Sequence, residues 1–316
     1  MSTTILTHSD CDGICAGALA LAKNRRAKIF FTKPVSFLRD LKETKSDNII
    51  VCDIALTKKD AVQIMKEFRK KKGKITYFDH HPIPSNVNKK DIEKNIEYVY
   101  NTKQSSSELV FRHYQNELPR ERIWIAIYGA IADYTEDTPL IQERLRNWDK
   151  NALYFEVSTL VMGIKRDFNN YDKKRKIVNM LSVGKNPSDV NGLVMSAKKA
   201  VNDEFDLYEI LKERAESFGN IGYVKDLHGF GFRGASALFS ATITNKPLGM
   251  CIHTRDYHLD ITMRRRDEKI KIGKVAEKAA EKVGGSGGGH DAAGGARIPV
   301  GSLDRFLNEV NKLIKL

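Results

Sequence analysis

Near its start the chain reads Thr4-Ile5-Leu6-Thr7, a short β-rich run, followed directly by His8-Ser9-Asp10-Cys11-Asp12-Gly13. Further runs rich in β-branched and aromatic residues are Lys28-Ile29-Phe30-Phe31, Ile49-Ile50-Val51-Cys52 and Lys74-Ile75-Thr76-Tyr77-Phe78. Residues 13–23 and 58–71, between these runs, have the apolar spacing of helices. This alternation predicts an α/β fold with a mainly parallel sheet flanked by helices.

The remainder of the chain indicates a helical half and then a second, smaller α/β domain. Helical spacing is found over 108–117, over 120–134 and beyond Leu140, strands are predicted over 248–254 and 259–264, and further helices over 274–282 and 303–314. A glycine-rich loop is predicted for Gly284-Gly285-Ser286-Gly287-Gly288-Gly289-His290. We therefore expect a first domain over residues 1–185, a connector over 186–205 and a second domain over 206–316.

The composition indicates a folded, basic protein of the cytoplasm. The 316 residues include 53 Lys and Arg against 40 Asp and Glu, and the resulting charge of +13 attracts polyanions such as nucleic acid. The four cysteines have neither paired spacing nor the density of a secreted disulfide framework, which favours a reducing compartment. With no leader pattern and no long apolar run, we expect a cytoplasmic location and no membrane contact.

Asp and His side chains follow three of the predicted strands. His8, Asp10 and Asp12 follow the first run, Asp53 follows the third, and Asp79-His80-His81 follows the fourth. The carboxyl ends of parallel strands share one edge of a sheet, and ligands bind there in open α/β folds. The sequence thus predicts that these side chains lie together.

Each of these residues alone has an ordinary explanation as a helix cap, a turn residue or a core histidine. Together they do not, because carboxylates crowded at one edge repel each other unless cations neutralise them. A mixture of imidazole and carboxylate suits manganese, zinc or iron better than magnesium or calcium. The pattern therefore predicts a site for divalent transition-metal ions.

Four ordered motifs resemble those of the DHH phosphoesterases: His8-Ser9-Asp10-Cys11-Asp12-Gly13, Asp53, Asp79-His80-His81 and Ala130-Ile131-Ala132-Asp133. The run Gly287-Gly288-Gly289-His290, preceded by Arg264, is similar to the signature of the DHHA1 substrate domain. The resemblance spans nearly the whole chain. It implies a phosphodiesterase with a DHH catalytic, metal-binding domain over residues 1–185 and a DHHA1 substrate-binding domain over 206–316.

The resemblance also implies a role for each motif residue. One Mn²⁺ would be held by His8, Asp10 and Asp53, and a second by Asp12, Asp53, His80 and Asp133; other divalent ions would also fit. Asp53, Asp79 and His81 would be the catalytic residues, and Arg264, Gly288, Gly289 and His290 would bind substrate. Two cations about 3.5–4 Å apart can deprotonate a water and stabilise the attacking and leaving oxygens, so no Ser or Cys nucleophile is needed.

Other features of the sequence allow ordinary interpretations. A glycine-rich run is often a flexible linker, although the small residues through Gly295 favour close approach of the backbone to a phosphate. The cluster Lys173-Lys174-Arg175-Lys176 is typical of a solvated helix end. Tyr257, Phe230 and Phe232 are candidates for stacking on bases, although core packing is the commoner role of an aromatic side chain.

Three functions remain open. The first is an exonuclease resembling the RecJ-like proteins, which release mononucleotides from single-stranded DNA or RNA. The second is an enzyme resembling the nanoRNases, which act on very short RNAs or dinucleotides. The third is a catalytically inactive scaffold, which is disfavoured because every motif carboxylate and histidine is present.

The charge of +13 favours a long polyanion and therefore the exonuclease. Against it, the chain leaves no room after the DHHA1 region for the OB-like domain with which bacterial RecJ proteins hold long strands. The Gly-Gly-Gly-His signature disfavours the family II inorganic pyrophosphatases, which resemble a different C-terminal domain. A helicase or a replication or repair partner is implied by the family resemblance.

Overall fold

The computed structural model of the protein describes residues 1–227 and 232–314. The chain divides into two compact units, Met1–Ala200 and Val201–Leu316. One long helix, Leu193–Arg214, crosses the boundary, and the first strand after it begins at Glu216 rather than near Asp206. The three-part division with a connector over residues 186–205 stays a prediction.

The first unit is built on a five-stranded sheet in which every strand pair is parallel. Its strands are β1 Thr3–Thr7, β2 Lys28–Phe31, β3 Asn48–Cys52, β4 Lys74–Asp79 and β5 Glu97–Tyr100, in the spatial order β2-β1-β3-β4-β5. The predicted parallel sheet is confirmed. Strand β5 is not among the predicted strands: its Tyr and Val residues favour a strand, but the run has only four residues.

The helices of the first unit, in chain order, are α1 Cys11–Lys23, α2 Phe37–Glu43, α3 Ala61–Lys70, α4 Lys89–Glu93, α5 Ser106–Tyr114, α6 Ile123–Ala132, α7 Pro139–Arg146, α8 Lys150–Arg166 and α9 Tyr171–Ser182. The helix crossing the boundary is α10. The helix predicted from residue 120 begins at Ile123, since Arg120–Arg122 is a turn of 3₁₀ helix.

Two apolar cores pack against opposite faces of this sheet, because successive residues of a strand point to opposite sides. Ile5 and Ile50 belong to the core that contains α1, α5, α6, α8 and α9. Leu6 and Val51 belong to the core that contains α2 and α3. The sheet is therefore covered on both faces, as its apolar strands predict.

The second unit contains a mixed sheet of six strands with the order β10-β11-β9-β8-β7-β6, in which only β7 and β8 are parallel. Its elements are β6 Glu216–Phe218, β7 Ile221–Lys225, α11 Arg233–Ile243, β8 Leu248–Thr254, β9 His258–Arg265, α12 Ile272–Lys282, β10 Ser286–Gly289, β11 Ala293–Pro299 and α13 Leu303–Leu313. One apolar core joins α12 and α13 to the sheet. This is the predicted second, smaller α/β unit.

Within the glycine-rich run predicted as a loop, Ser286–Gly289 form strand β10 instead. Gly287 pairs with Ala296, and Gly288 pairs with Gly295, in an antiparallel ladder. A Cβ atom on Gly287 would lie only 2.4 Å from the carbonyl oxygen of Ala276 in α12. Glycine is therefore required because the strand packs directly on the helix backbone, and the run is neither a loop nor a flexible linker.

Among the described helices, none has both the length and the apolar character needed to cross a membrane.

Candidate functional site

The carboxyl ends of β1, β3 and β4 form one edge of the parallel sheet. Thr7 lies opposite Cys52, and Cys52 lies opposite Phe78, so the three strands end at the same level. The His8 N–H donates to the Cys52 carbonyl at 3.2 Å, and the Asp53 N–H donates to the Phe78 carbonyl at 2.9 Å. The main chain thus fixes the positions from which the predicted metal-binding side chains extend.

The turn from β1 into α1 is held by its own polar groups. Asp10 is the N-cap of α1, and its Oδ1 accepts the Gly13 N–H at 3.0 Å. A Cβ atom on Gly13 would lie 2.5 Å from the His8 carbonyl oxygen, so no other residue fits this turn. The tight turn places His8, Asp10 and Asp12 within five residues of each other at the sheet edge.

Asp53 is the common member of three groups of potential metal ligands. The groups are His8, Asp10 and Asp53; Asp12, Asp53 and His80; and Asp53, Asp79 and His81, and in each the donor atoms lie within 4.8 Å of one another. The side chain is 2% exposed, and the backbone has a φ of 60°, in the left-handed region. Such strained positions concentrate at functional sites in proteins.

His80 lies close to carboxylates of the three other motifs. Its Nε2 lies 3.4 Å from Asp53 Oδ1, 3.5 Å from Asp133 Oδ2 and 4.0 Å from Asp12 Oδ2. Asp133 is brought there because it ends helix α6, which packs against α1. The structure therefore brings together all four residues that the sequence predicts for the second metal.

His81 is oriented by the neighbouring carboxylate of its own motif. Its Nδ1 lies 2.8 Å from Asp79 Oδ1 and 3.9 Å from Asp53 Oδ1. Although burial opposes it, Asp79 raises the pKa of His81 above its ordinary value. Asp79 thereby favours a protonated imidazole at the edge of the site.

The serine run at the start of α5 supplies contacts that the sequence analysis does not predict. The Ser106 and Ser107 N–H groups donate to the two carboxylate oxygens of Asp12 at 2.7 and 3.0 Å. The Ser106 hydroxyl donates to Asp53 Oδ1 at 3.1 Å. A helix N-terminus favours carboxylates. Ser105 and Glu108 in the printed sequence have the spacing of a capping box, which marks this helix start.

Close packing behind Asp12 depends on Gly129 in α6. A Cβ atom there would lie 2.6 Å from Asp12 Oδ1 and 2.1 Å from Ser107 Oγ. The helix therefore approaches the carboxylate more closely than any larger residue allows.

Lys174 differs from the solvated helix end predicted for its cluster. It is 5% exposed, and its Nζ donates to the Ser9 carbonyl at 2.8 Å. Burial lowers the pKa of Lys174 to about 8, although Asp10 opposes this effect. The prediction was wrong because α9 packs against α1, and the long side chain reaches under the first motif.

In the second unit, Arg264 and His290 are placed on either side of Ala293. Arg264 pairs with Ala293 in the β9–β11 ladder, and the His290 N–H donates to the Ala293 carbonyl at 2.8 Å. Gly288 and Gly289 belong to β10, and Gly289 has a φ of 131°, which side chains disfavour. The structure thus places Arg264 on β9, and Gly288, Gly289 and His290 in or directly after β10, on the two sides of β11.

The aromatic candidates have different environments. Tyr257 is 87% exposed, whereas Phe232 is buried at 3% and is unsuited to stacking on a base. Phe230 lies outside the described residues.

Two family models match this chain. The model described as "DHH family, N-terminal domain" matches residues 2–133, and the model described as "DHHA1 domain" matches residues 233–316. Together they cover more than half of the chain. The chain belongs to the DHH/DHHA1 phosphoesterase family. The enzyme class predicted from the motifs, a hydrolase acting on phosphodiester bonds, is confirmed by this membership.

Solved structures share the fold of this DHH/DHHA1 chain at low identity. A DHH-domain protein described as a member of a family of ribosomal proteins has a TM-score of 0.73 and 15% identity, over 100% of this chain and 87% of its own. RecJ from Thermus thermophilus, in complex with Mn²⁺, has a TM-score of 0.71 and 16% identity, over 99% of this chain and 52% of its own. This chain thus spans about half of that RecJ.

A third solved structure has nearly the same length. The pGpG-specific phosphodiesterase PggH from Vibrio cholerae has a TM-score of 0.55 and 15% identity, over 99% of both chains. No curated protein sequence matches the chain.

The electrostatics of the DHH site fit bound cations. Burial and the charge of Asp53 raise the pKa of Asp12 to about 6, and burial and Asp12 raise that of Asp133 to about 8. Burial alone would raise the pKa of Asp53. The His80 hydrogen bond and the neighbouring imidazoles outweigh this effect and hold the pKa of Asp53 well below the ordinary range. Carboxylates crowded in this way gain from a divalent cation, which would favour their ionised forms.

The carboxylates of the site raise the pKa values of its histidines. Against the effect of burial, Asp53 and other carboxylates raise the pKa of His80 to about 10, and Asp10 raises that of His8 to about 9. The imidazoles therefore carry positive charge that a metal ion would replace. Imidazole and carboxylate together are a donor set for manganese, zinc or iron.

Proposed function

We propose that this DHH/DHHA1 chain is a metal-dependent exonuclease that hydrolyses single-stranded nucleic acid from an end. The observation that carries the proposal is the position of Asp53, one buried carboxylate shared by three ligand groups at the edge of the parallel sheet. A shared carboxylate of this kind is the arrangement that can serve two metal ions at once.

In this proposal one Mn²⁺ would be held by His8, Asp10 and Asp53, and the other would be held by Asp12, Asp53, His80 and Asp133. When bound, the ions lower the pKa of a water and stabilise the charge that develops on the phosphate in an in-line displacement. Other divalent ions are alternatives.

The remaining residues of the site act on the substrate. The protonated imidazole of His81, oriented by Asp79 at 2.8 Å, donates a hydrogen bond to a phosphate oxygen. Ser106 orients Asp53 through its 3.1 Å hydrogen bond and thereby fixes the shared ligand.

The second unit would hold the strand. Gly288 and Gly289 allow the backbone to approach a phosphate closely, and the Arg264 guanidinium and the His290 imidazole are donors suited to phosphate oxygens. These four residues would bind the phosphate or the terminal nucleotide.

One observation favours a second candidate, an enzyme for very short RNAs or dinucleotides. The chain is similar in fold to the pGpG-specific phosphodiesterase PggH over 99% of both chains. The charge of +13 favours the polymer. A helicase or a replication or repair partner stays a prediction.

Hydrolysis of end-labelled DNA and RNA of several lengths, with Mn²⁺ and with chelator, tests the proposal. An exonuclease converts a long strand stepwise from one end to mononucleotides, and chelator stops it. Cleavage confined to the shortest RNAs would favour the second candidate. No hydrolysis of any length with Mn²⁺, Mg²⁺ or Zn²⁺ would overturn both.

Binding of a long strand at different salt concentrations gives an independent test. Each phosphate paired with Lys or Arg contributes a slope of about −0.7 to log affinity against log salt on single strands. We expect a steep slope with the Asp53→Asn protein, which cannot degrade the strand. A slope near zero would contradict the polymer assignment.

A further inference from the structure

A groove on the second unit is lined by four lysines. It has a volume of about 480 Å³, and its lining includes Lys269, Lys271, Lys274 and Lys278 together with Val275 and Leu313. All four lysines are exposed. The acidic residues of the same helix, Glu277 and Glu281, are not among the lining residues. The groove therefore presents positive charge above an apolar floor.

Three of these lysines share one face of helix α12 and the turn before it. Lys271, Lys274 and Lys278 are separated by three and four residues, a spacing that places side chains about 5–6 Å apart on one helix face. Among the described residues, Lys274 and Lys278 form no ion pair, whereas Lys271 pairs with Asp291 at 2.7 Å. The charge of Lys274 and Lys278 is thus open to an external anion.

The groove begins beside the strand that carries the predicted substrate-binding residues. The Gly273 N–H donates to the His290 carbonyl at 3.0 Å, and the Ile272 N–H donates to the Asp291 carbonyl at 3.0 Å. A Cβ atom on Gly273 would lie 2.1 Å from the Gly289 carbonyl oxygen, so the two backbones are in direct contact. The lysine face and His290 therefore belong to one rigid part of the second unit.

We propose that this lysine groove binds the phosphodiester backbone of a single strand beyond the nucleotide held near His290. This inference rests on the proposed function and gives it a length preference. Lysines repeated along one face match the repeated charge of a strand, and their aliphatic stems lie over the apolar floor. A dinucleotide, which ends near His290, gains nothing from Lys274 and Lys278.

The test removes two lysine charges and keeps part of each aliphatic stem. We expect Lys274→Gln/Lys278→Gln, placed in the inactive Asp53→Asn protein, to bind a labelled oligothymidylate of about 20 nucleotides at least about tenfold more weakly at low salt. The salt slope should become shallower by about 1.4, since each lost contact removes about 0.7. The double Arg variant, Lys274→Arg/Lys278→Arg, should restore both values.

The control is Lys66→Gln/Lys70→Gln on α3, an exposed pair with the same spacing and the same loss of charge, in which Lys70 also loses its ion pair with Glu67 at 3.4 Å. It should bind the oligothymidylate like the parent protein. An equal change in both double variants would mean that only the overall charge matters, and this result would overturn the groove.

Hydrolysis separates failure of the groove from failure of the proposed function. In active protein, Lys274→Gln/Lys278→Gln should lower the ratio of the rate on the long strand to the rate on a dinucleotide by about tenfold. If the parent degrades the long strand and the variant keeps the parent's ratio and salt slope, the groove does not bind nucleic acid. If the parent hydrolyses neither substrate, the proposed function itself fails.

Discussion

The candidate metal site of the first unit and the lysine groove of the second unit place their charged side chains in opposite environments. At the sheet edge of the first unit, Asp12, Asp53 and His80 are each 2% exposed and are held by neighbouring polar groups. In the second unit, Lys274 and Lys278 stand in solvent along a groove. Burying charge costs folding free energy unless partners or cations compensate it, whereas exposed charge costs little and is screened by salt.

The difference indicates that the two regions have different functions. Buried carboxylates that hydrogen bonds fix in position are suited to binding metal ions and to catalysis. Exposed lysines are suited to binding a polyanion in a salt-dependent way. Substitutions at the sheet edge should therefore change turnover, metal content or pH dependence, and substitutions in the second unit should change substrate binding or turnover without loss of metal.

The largest effect is expected from Asp53→Asn. Because one carboxylate serves both proposed metals, its loss should lower turnover by at least about a thousandfold, as metal charge stabilisation is worth several kcal/mol. Asn tolerates the left-handed backbone at φ 60° and keeps the side-chain size, so the fold should survive. Steady-state kinetics with Mn²⁺ and a thermal unfolding curve measure both outcomes.

Asp60→Asn is the matched control, since Asp60 precedes α3 and belongs to no ligand group. It should retain the parent rate. A rate near that of the parent for purified Asp53→Asn would mean that Asp53 is not the shared ligand.

The second effect separates positioning from folding within one serine run. Ser106→Ala removes the donor to Asp53 and should lower metal affinity or turnover by about 10- to 100-fold, with little change in stability. Ser105→Ala removes the N-cap of α5 and should cost about 1 kcal/mol of unfolding free energy. Metal titration and urea unfolding of both variants measure the split. The same loss of metal affinity in both would show that Ser106 acts only through helix stability.

The third effect concerns His290 in the second unit. His290→Ala should slow turnover by about 10- to 100-fold, the effect of losing a charge-assisted contact worth about 1.5–3 kcal/mol, and should leave both metals bound. Kinetics together with elemental analysis of the same protein measure this. His258→Ala on β9, a half-buried histidine of the same unit, is the control. Unchanged activity would exclude a substrate contact, and lost metal would make His290 a ligand.

Sequence alone predicts those parts of this fold that local patterns specify. The strands Ile49 to Cys52 and Lys74 to Phe78 are apolar runs, and the residues after them identify the sheet edge. Two features depend on packing between distant segments and leave no local pattern: the approach of Ser106 to Asp53 and the burial of Lys174 under Ser9.

The glycine-rich run is a further feature whose structure the sequence does not predict. Its composition is typical of a linker or loop, and only the contact between Gly287 and the Ala276 carbonyl explains why it forms a strand. A glycine indicates that its backbone packs closely against another group, but the sequence does not identify that group.

The smallest effect is a pH dependence of stability due to Lys174. Burial lowers the pKa of Lys174 to about 8 in the folded chain, below its ordinary value of 10.5. Between these two values the unfolded chain binds more protons at Lys174, so this side chain contributes a rise of the unfolding free energy with pH of up to about 1 kcal/mol per pH unit, against the opposite contribution of His8 and His80. Lys174→Met, which keeps the apolar stem but cannot titrate, should lack this rise. Urea unfolding of metal-free protein between about pH 7 and 10 measures the difference.

Lys176→Met, at an exposed position of the same helix, should follow the parent curve. Parallel curves for the parent and Lys174→Met across this range would mean that the Lys174 ammonium is solvated, and the contrast between a buried lysine in the first unit and exposed lysines in the second would then be lost.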